Sequence, residues 1–164
     1  MKYGSYTIKE KDGSVIVEDV RDFDPVHVFE CGQCFRWIRQ QDGSYTGVAR
    51  NRVVNVKHRE GILEIGNSSL EDFKNIWFDY FDLGRDYSKA KIVLAKDEIM
   101  KKSIGFGHGI RILKQDLWET LISFIISANN RIPMIMKVVA AISKNYGEKI
   151  RFEGSDYYTF PTPG

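Results

Sequence analysis

Residues 116–146, DLWETLISFIISANNRIPMIMKVVAAISKNY, constrain the fold more than any other stretch. They read as two apolar helices meeting at a polar elbow, Ser127-Ala128-Asn129-Asn130-Arg131. Asp116 followed three residues later by Glu119 has the form of a capping box, in which one carboxylate accepts a first-turn N–H while the other reaches back to the cap. From Leu117 through Leu121, Ile122, Phe124, Ile125 and Ile126 the apolar residues cover nearly every direction, which predicts a helix enclosed by protein. The run is far short of the ~20 residues that hydrocarbon requires, so it is not a membrane span. The second helix is expected from Asn130 or Arg131, with Pro133 in its first turn. Its apolar residues Ile132, Ile135, Met136, Val139 and Ile142 recur with a period near ~3.6, and Gly147 supplies the stop. On pattern alone, Asn129 and Asn130 cap this helix and sit wet at the surface.

A chain of 164 residues is enough for one domain, or for one domain plus part of another. Hydrophobic content of 43% allows a sizeable core and excludes disorder of the whole chain. Lys+Arg 24 against Asp+Glu 22 leaves a net charge of only +2, so any contact with nucleic acid has to come from a local patch. Met1-Lys2-Tyr3-Gly4 runs straight into polar sequence without a signal peptide or lipidation motif, and a cytoplasmic location is expected.

The first third is strand-like. Tyr6-Thr7-Ile8 and Val15-Ile16-Val17 flank Lys11-Asp12-Gly13, which suits a hairpin turn. Cys34–Arg39 alternates apolar and polar residues and should pair with Tyr45–Ala49 across Gln41-Asp42-Gly43-Ser44. Val53–Val56 and Ile62–Ile65 complete an antiparallel meander. Ser68-Ser69-Leu70-Glu71 offers a second capping box, after which Leu70, Phe73, Ile76, Trp77 and Tyr80 mark one helical face. The change of period from ~2 to ~3.6 predicts an α+β layer with helices on one side of an antiparallel sheet. One further helix is expected over Ser88–Ser103, and Gly105-Phe106-Gly107-His108-Gly109 breaks it. The glycine spacing matches neither G-x-G-x-x-G nor a Walker A, so the segment is taken as a flexible connector and domain boundary.

Cys31-Gly32-Gln33-Cys34 carries two thiols, but a metal knuckle needs a second ligand pair. The chain has no other cysteine, and His27, His58 and His108 are scattered without the required spacing. A redox pair should open a helix that lowers a thiol pKa, whereas a strand is expected here. The pair is therefore read as two reduced, partly buried thiols. Gly32 between them permits another molecule to approach the main chain closely, with its carbonyl as an acceptor.

Gly32-Gln33-Cys34-Phe35-Arg36-Trp37 resembles the GQ-x-FRW segment of the 8-oxoguanine DNA glycosylase/lyase family. Residues 109–116, with Glu119, Ser123-Phe124-Ile125 and Asn129-Asn130, are similar to that family's first long helix and the turn after it. The resemblance covers most of the chain and keeps the family's order. It implies an N-terminal α+β domain of TBP-like type over roughly residues 1–110. The first helices of an all-α helix-hairpin-helix glycosylase domain are then expected over residues 111–164, incomplete here.

The resemblance also implies roles. Gly32 matches the glycine whose main-chain carbonyl accepts the hydrogen on N7 of 8-oxoguanine, a proton guanine lacks, and such a bond excludes an analogue unable to make it. Phe124 matches an aromatic near the pocket for the extruded base. Asn129 matches the asparagine that fills the gap in the duplex and contacts the orphaned cytosine, with Asn130 on the adjacent backbone; extrusion costs a few kcal/mol, which such a plug offsets. Where many members place an arginine that reads the cytosine, this chain has Met134, whose thioether cannot donate to a base edge. Arg131 lies close enough in sequence to compensate. The expected partner is double-stranded DNA containing 8-oxoguanine, with no metal, no small-molecule cofactor and no membrane.

The family's lysine nucleophile and its charge-stabilising aspartate lie in a downstream helix-hairpin-helix region, and no residue here matches either. The chain is accordingly expected to be the N-terminal part of a base-excision-repair glycosylase, inactive alone. The alternatives are a non-catalytic DNA- or protein-binding module of the same fold, and a relative acting on alkylated bases.

Overall fold

A computed structural model describes residues 1–163. Seven strands form one antiparallel sheet: β1 (Lys2–Tyr3), β2 (Tyr6–Lys11), β3 (Ser14–Glu18), β4 (Trp37–Arg39), β5 (Tyr45–Ala49), β6 (Arg52–Arg59) and β7 (Ile62–Gly66). Their order is β1-β2-β3-β7-β6-β5-β4. The hairpins close on two-residue turns with both residues at positive φ, Asp12 (51°) with Gly13 (73°) and Glu60 (53°) with Gly61 (78°). That geometry matches the right-handed twist of the flanking strands. Val15 pairs with Ile65, Ile65 with Val56 and Val56 with Tyr45, so one face of the sheet is an unbroken apolar row.

Helix α1 (Pro25–Phe29), capped by Asp24, covers that face together with a helical run over residues 70–80. The run comprises α2 (Leu70–Asp72), a π-helical turn (Phe73–Trp77) and α3 (Phe78–Tyr80). Phe73, Trp77 and Phe81 are fully buried against Ile8, Val17 and Leu63, which holds this layer to the sheet whatever the local helix geometry. The α+β class and the meander hold as expected.

Four local expectations shift. The capping box over the run is Ser69 with Asp72 rather than Ser68 with Glu71, because Ser69 takes the extended backbone from which its hydroxyl reaches the Asp72 N–H. The helix expected over 88–103 divides into α4 (Tyr87–Leu94) and α5 (Glu98–Phe106), since Asp97 caps a new start by accepting from Met100 N at 2.8 Å. The strand expected from Cys34 begins only at Trp37; residues 31–36 form a bend instead. After α6 (Leu117–Ser127) and α7 (Ile132–Tyr146) the chain forms a hairpin, β8 (Lys149–Phe152) and β9 (Ser155–Tyr158), which an expectation of helices alone did not contain.

Helix α6 is not enclosed. Trp118, Ile122 and Ile126 pack with α7 and Phe160 around Ile135 and Val139, while Leu117, Leu121, Phe124 and Ile125 stand open. Apolar residues on all sides therefore serve two faces, and only one of them is covered. Among the described residues, no helix is long and apolar enough to cross a membrane.

Candidate functional site

The bend at residues 31–36 is fixed by one side chain. Gln33 donates from Nε2 to the carbonyls of Val28 and Arg111, each at 2.8 Å, and accepts the Leu113 N–H at 3.0 Å. Its own carbonyl accepts from Gln115 Nε2 at 2.6 Å. These bonds lash the bend to an extended strap, residues 110–116. The strap is held in turn by Arg111, a buried guanidinium that donates to the carbonyls of Asp22, Asp82 and Arg21. The glycine-containing segment read as a flexible connector is thus continuous with a strap bonded to the sheet layer.

Gly32 rides on this anchored bend with φ of 86°, in the left-handed region that favours glycine. Its Cα is open to the surroundings: a Cβ added there would meet only Ile132 Cδ1, at 3.7 Å. Among the described residues nothing donates to the Gly32 carbonyl, although that of the next residue is taken. Ile132 opens α7, so position 32 and the elbow 127–131 lie side by side, although they are about a hundred residues apart in the chain.

The elbow is exposed from Ala128 to Arg131, with Ser127 half-buried. Asn129 adopts the left-handed backbone at φ of 59°, and among the described residues no hydrogen bond holds its side chain. Asn130 donates from Nδ2 to the Ile126 carbonyl at 2.7 Å, which satisfies the end of α6 rather than the start of α7. The N-cap of α7 is Arg131, whose side chain makes no cap bond. The reading of both asparagines as caps of the second helix is therefore replaced: one closes the first helix and the other is unengaged. Phe124 is 75% exposed and Met134 49%, both far more open than core positions.

Behind the bend, Arg36 Nη1 lies 3.3 Å from Glu119 Oε2, and Nη2 donates to the Tyr158 carbonyl. Asp116 accepts from the N–H groups of Trp118 and Glu119 as a cap should, but Glu119 turns to Arg36 instead of returning to the cap. Burial raises the Glu119 carboxyl pKa and lowers that of Arg36, and in each case outweighs the partner's charge. Trp37 stacks on Phe29 with centroids 4.1 Å apart, donates to Tyr80 OH at 3.2 Å and covers Gly47, where a Cβ would come within 2.5 Å of the indole. Cys34 is buried and its thiol pKa is pushed upward by desolvation, while Cys31 is exposed, an arrangement unlike a reactive pair.

The residues that position the bend, Gln33, Arg36, Arg111 and Glu119, were not singled out from sequence as positioning groups. The family resemblance contains all four without giving them a role, and the Asp116–Glu119 spacing points to a local cap with no hint of a partner 83 residues away.

The family described as "8-oxoguanine DNA glycosylase, N-terminal domain" matches residues 15–121. A solved structure of MBOgg1 in complex with a low-affinity DNA ligand is 55% identical with a TM-score of 0.95, covering 99% of this chain and 55% of that one. The Clostridium acetobutylicum 8-oxoguanine glycosylase/lyase, solved with double-stranded DNA containing cytosine opposite 8-oxoG, is 52% identical with a TM-score of 0.94 over 95% of this chain and 54% of its own. The Saccharomyces cerevisiae N-glycosylase/DNA lyase is 32% identical over 152 residues, 83% of this chain and 40% of that protein. The chain thus spans about half the length of the solved relatives and less of the yeast one. With the GQ-x-FRW bend, its strap and the first long helix in place, the chain belongs to the family of the 8-oxoguanine DNA glycosylase N-terminal domain.

Proposed function

We propose that this chain supplies the lesion-reading part of a DNA N-glycosylase/lyase that recognises 8-oxoguanine in duplex DNA by base flipping, as an intracellular, DNA-associated protein. The observation that carries the reading is the unpaired Gly32 carbonyl on a rigid bend beside the exposed elbow at Asn129. An acceptor held in place by Gln33 costs little reorganisation when a hydrogen-bearing N7 arrives. An N7 without hydrogen offers only a lone pair to that oxygen, and the two repel. Asn129, free and left-handed, is suited to enter the gap in the stack, Asn130 and Arg131 to contact the flanking strand, and Phe124 to flank the extruded base.

Residues 1–110 form the α+β part in this reading and residues 111–164 the beginning of the helical part. The strap at 110–116 is bonded to Gln33 of the first part and caps α6 of the second through Asp116, which makes the junction stiff rather than loose. Because no residue here matches the lysine nucleophile or its aspartate, the 164-residue chain alone does not cleave the glycosidic bond.

Three measurements test this. In equilibrium binding, a duplex with 8-oxoguanine opposite cytosine should bind more tightly than the guanine duplex, and Asn129→Ala should weaken the former. Equal binding of both duplexes would overturn the reading. Borohydride treatment should trap no covalent adduct with the 164 residues, and an adduct would refute the assignment of the chemistry to residues not found here. With Met134 in place of a base-reading arginine, discrimination among C, A, G and T opposite the lesion should be loose; strict preference for C would count against it.

A further inference from the structure

The three histidines are scattered in sequence, yet two of them meet in the fold. The ligating atoms of Asp24, His27 and His108 lie within 4.8 Å of one another, where the N-terminus of α1 touches the segment that follows α5. We propose that these three residues form a binding site for a divalent transition-metal ion, with Zn²⁺ as the reference ion.

The chemistry of each donor fits. His27 Nδ1 accepts the Gly109 N–H at 3.2 Å, so a lone pair on that nitrogen already faces the cluster. Asp24 commits Oδ1 to the Val26 N–H at 2.9 Å as the helix cap, which leaves Oδ2 free at 3.9 Å from His27 Nδ1. The His108 ring stands edge-on to His27 with centroids 4.8 Å apart and is exposed. Two imidazoles and one carboxylate make a nitrogen-rich set that suits zinc, nickel or copper and disfavours magnesium, which prefers oxygen.

The backbone holds two of the three ligands in register. Asp24 N donates to the Gly109 carbonyl at 3.0 Å, and Gly109 is pressed so closely on Asp24 that an added Cβ would fall 2.2 Å from the aspartate Cβ. Metal bonds of ~2.0–2.2 Å require the ligand atoms to draw in by about 1 Å or more, a movement that rotation of the exposed His108 side chain supplies. The ion takes the place of the Gly109 N–H at Nδ1, so that bond is given up on binding. Lys91 donates to the His108 carbonyl and is also paired with Asp22 at 2.6 Å, which lowers its opposition to a second positive charge. Bound metal would clamp α1 to the start of the strap that carries the Gly32 bend.

The test is calorimetric titration of the tag-free chain with Zn²⁺ at neutral pH, alongside thermal unfolding. One site is expected, with a melting temperature that rises as metal is added. His108→Ala should weaken binding at least ~10-fold, the lower bound of what disturbing a metal's ligand environment costs. Its ring is exposed, so the melting temperature without metal should match the parent. Asp24→Asn keeps a capping side chain and should also weaken binding. Mg²⁺ should not bind. Undiminished binding in both variants, no binding in the parent, or loss on Cys31→Ser instead would each overturn the proposal.

Discussion

Arg36 and Glu119 approach to 3.3 Å, and this contact fastens the bend before β4 to the first turn of α6. Both side chains are largely withdrawn from water, 10% and 22% exposed, so neither charge is well hydrated without the other. Replacing Arg36 by Ala should cost about 3 kcal/mol, near the lower end for a broken buried pair because Glu119 retains some solvent. Glu119→Gln should cost less, since Arg36 keeps the Tyr158 carbonyl. The double variant should fall short of the sum of the singles, as measured by urea unfolding.

Arg111 spends its guanidinium on three main-chain carbonyls at 2.8–3.0 Å and stacks over the Tyr87 ring at 4.7 Å. Lysine cannot reproduce that planar fork. Arg111→Lys should therefore destabilise by about 3 kcal/mol through buried carbonyls left without donors, with a corresponding fall in melting temperature.

His58 is half-buried, its Nε2 3.0 Å from the Val20 carbonyl. Burial lowers its pKa, more than that bond raises it. The folded state thus binds fewer protons than the unfolded one, so stability is fully present above the unfolded value of about 6.5 and is lost as pH falls below it. His58→Gln should flatten the stability profile below about pH 6.5, measured by chemical denaturation as the pH is lowered from neutral. An unchanged slope would rule out His58 as the source.

Gly32→Ala is penalised by φ rather than by space, and should cost about 1–2 kcal/mol in unfolding experiments. Under the proposed function it should also reduce the preference for 8-oxoguanine over guanine. Phe124→Ala supplies the contrast: an exposed side chain should change stability by no more than about 0.5 kcal/mol, while affinity for the lesion duplex drops.

The sheet was legible because its signals act over a few residues. The β-branched run Val15-Ile16-Val17 and the short apolar run Ile62–Ile65, with Asp12-Gly13 and Gly61 at the turns, specify strands and hairpins almost by themselves. Helices α6 and α7 were legible from apolar period and from Asp116 and Pro133. The exposed stripe of α6 was not, since an all-round apolar pattern says that a helix wants cover and not which face obtains it. Nor was the role of Gly109, for a related reason: glycines at 105–109 read as freedom, whereas Gly109 is needed for close contact with Asp24.

By itself, then, the sequence determined the hairpins of the sheet, helices α6 and α7 and the glycine at position 32, though not the division between α4 and α5 or the β8–β9 hairpin. Only the tertiary structure decided that Gln33 grips residues 111 and 113, that Arg36 meets Glu119 and that Gly32 faces Ile132. Those contacts join segments about eighty to a hundred residues apart, and periodicity, capping and turn rules act over less than twenty. What brings them together is burial of the shared core, which no local pattern encodes.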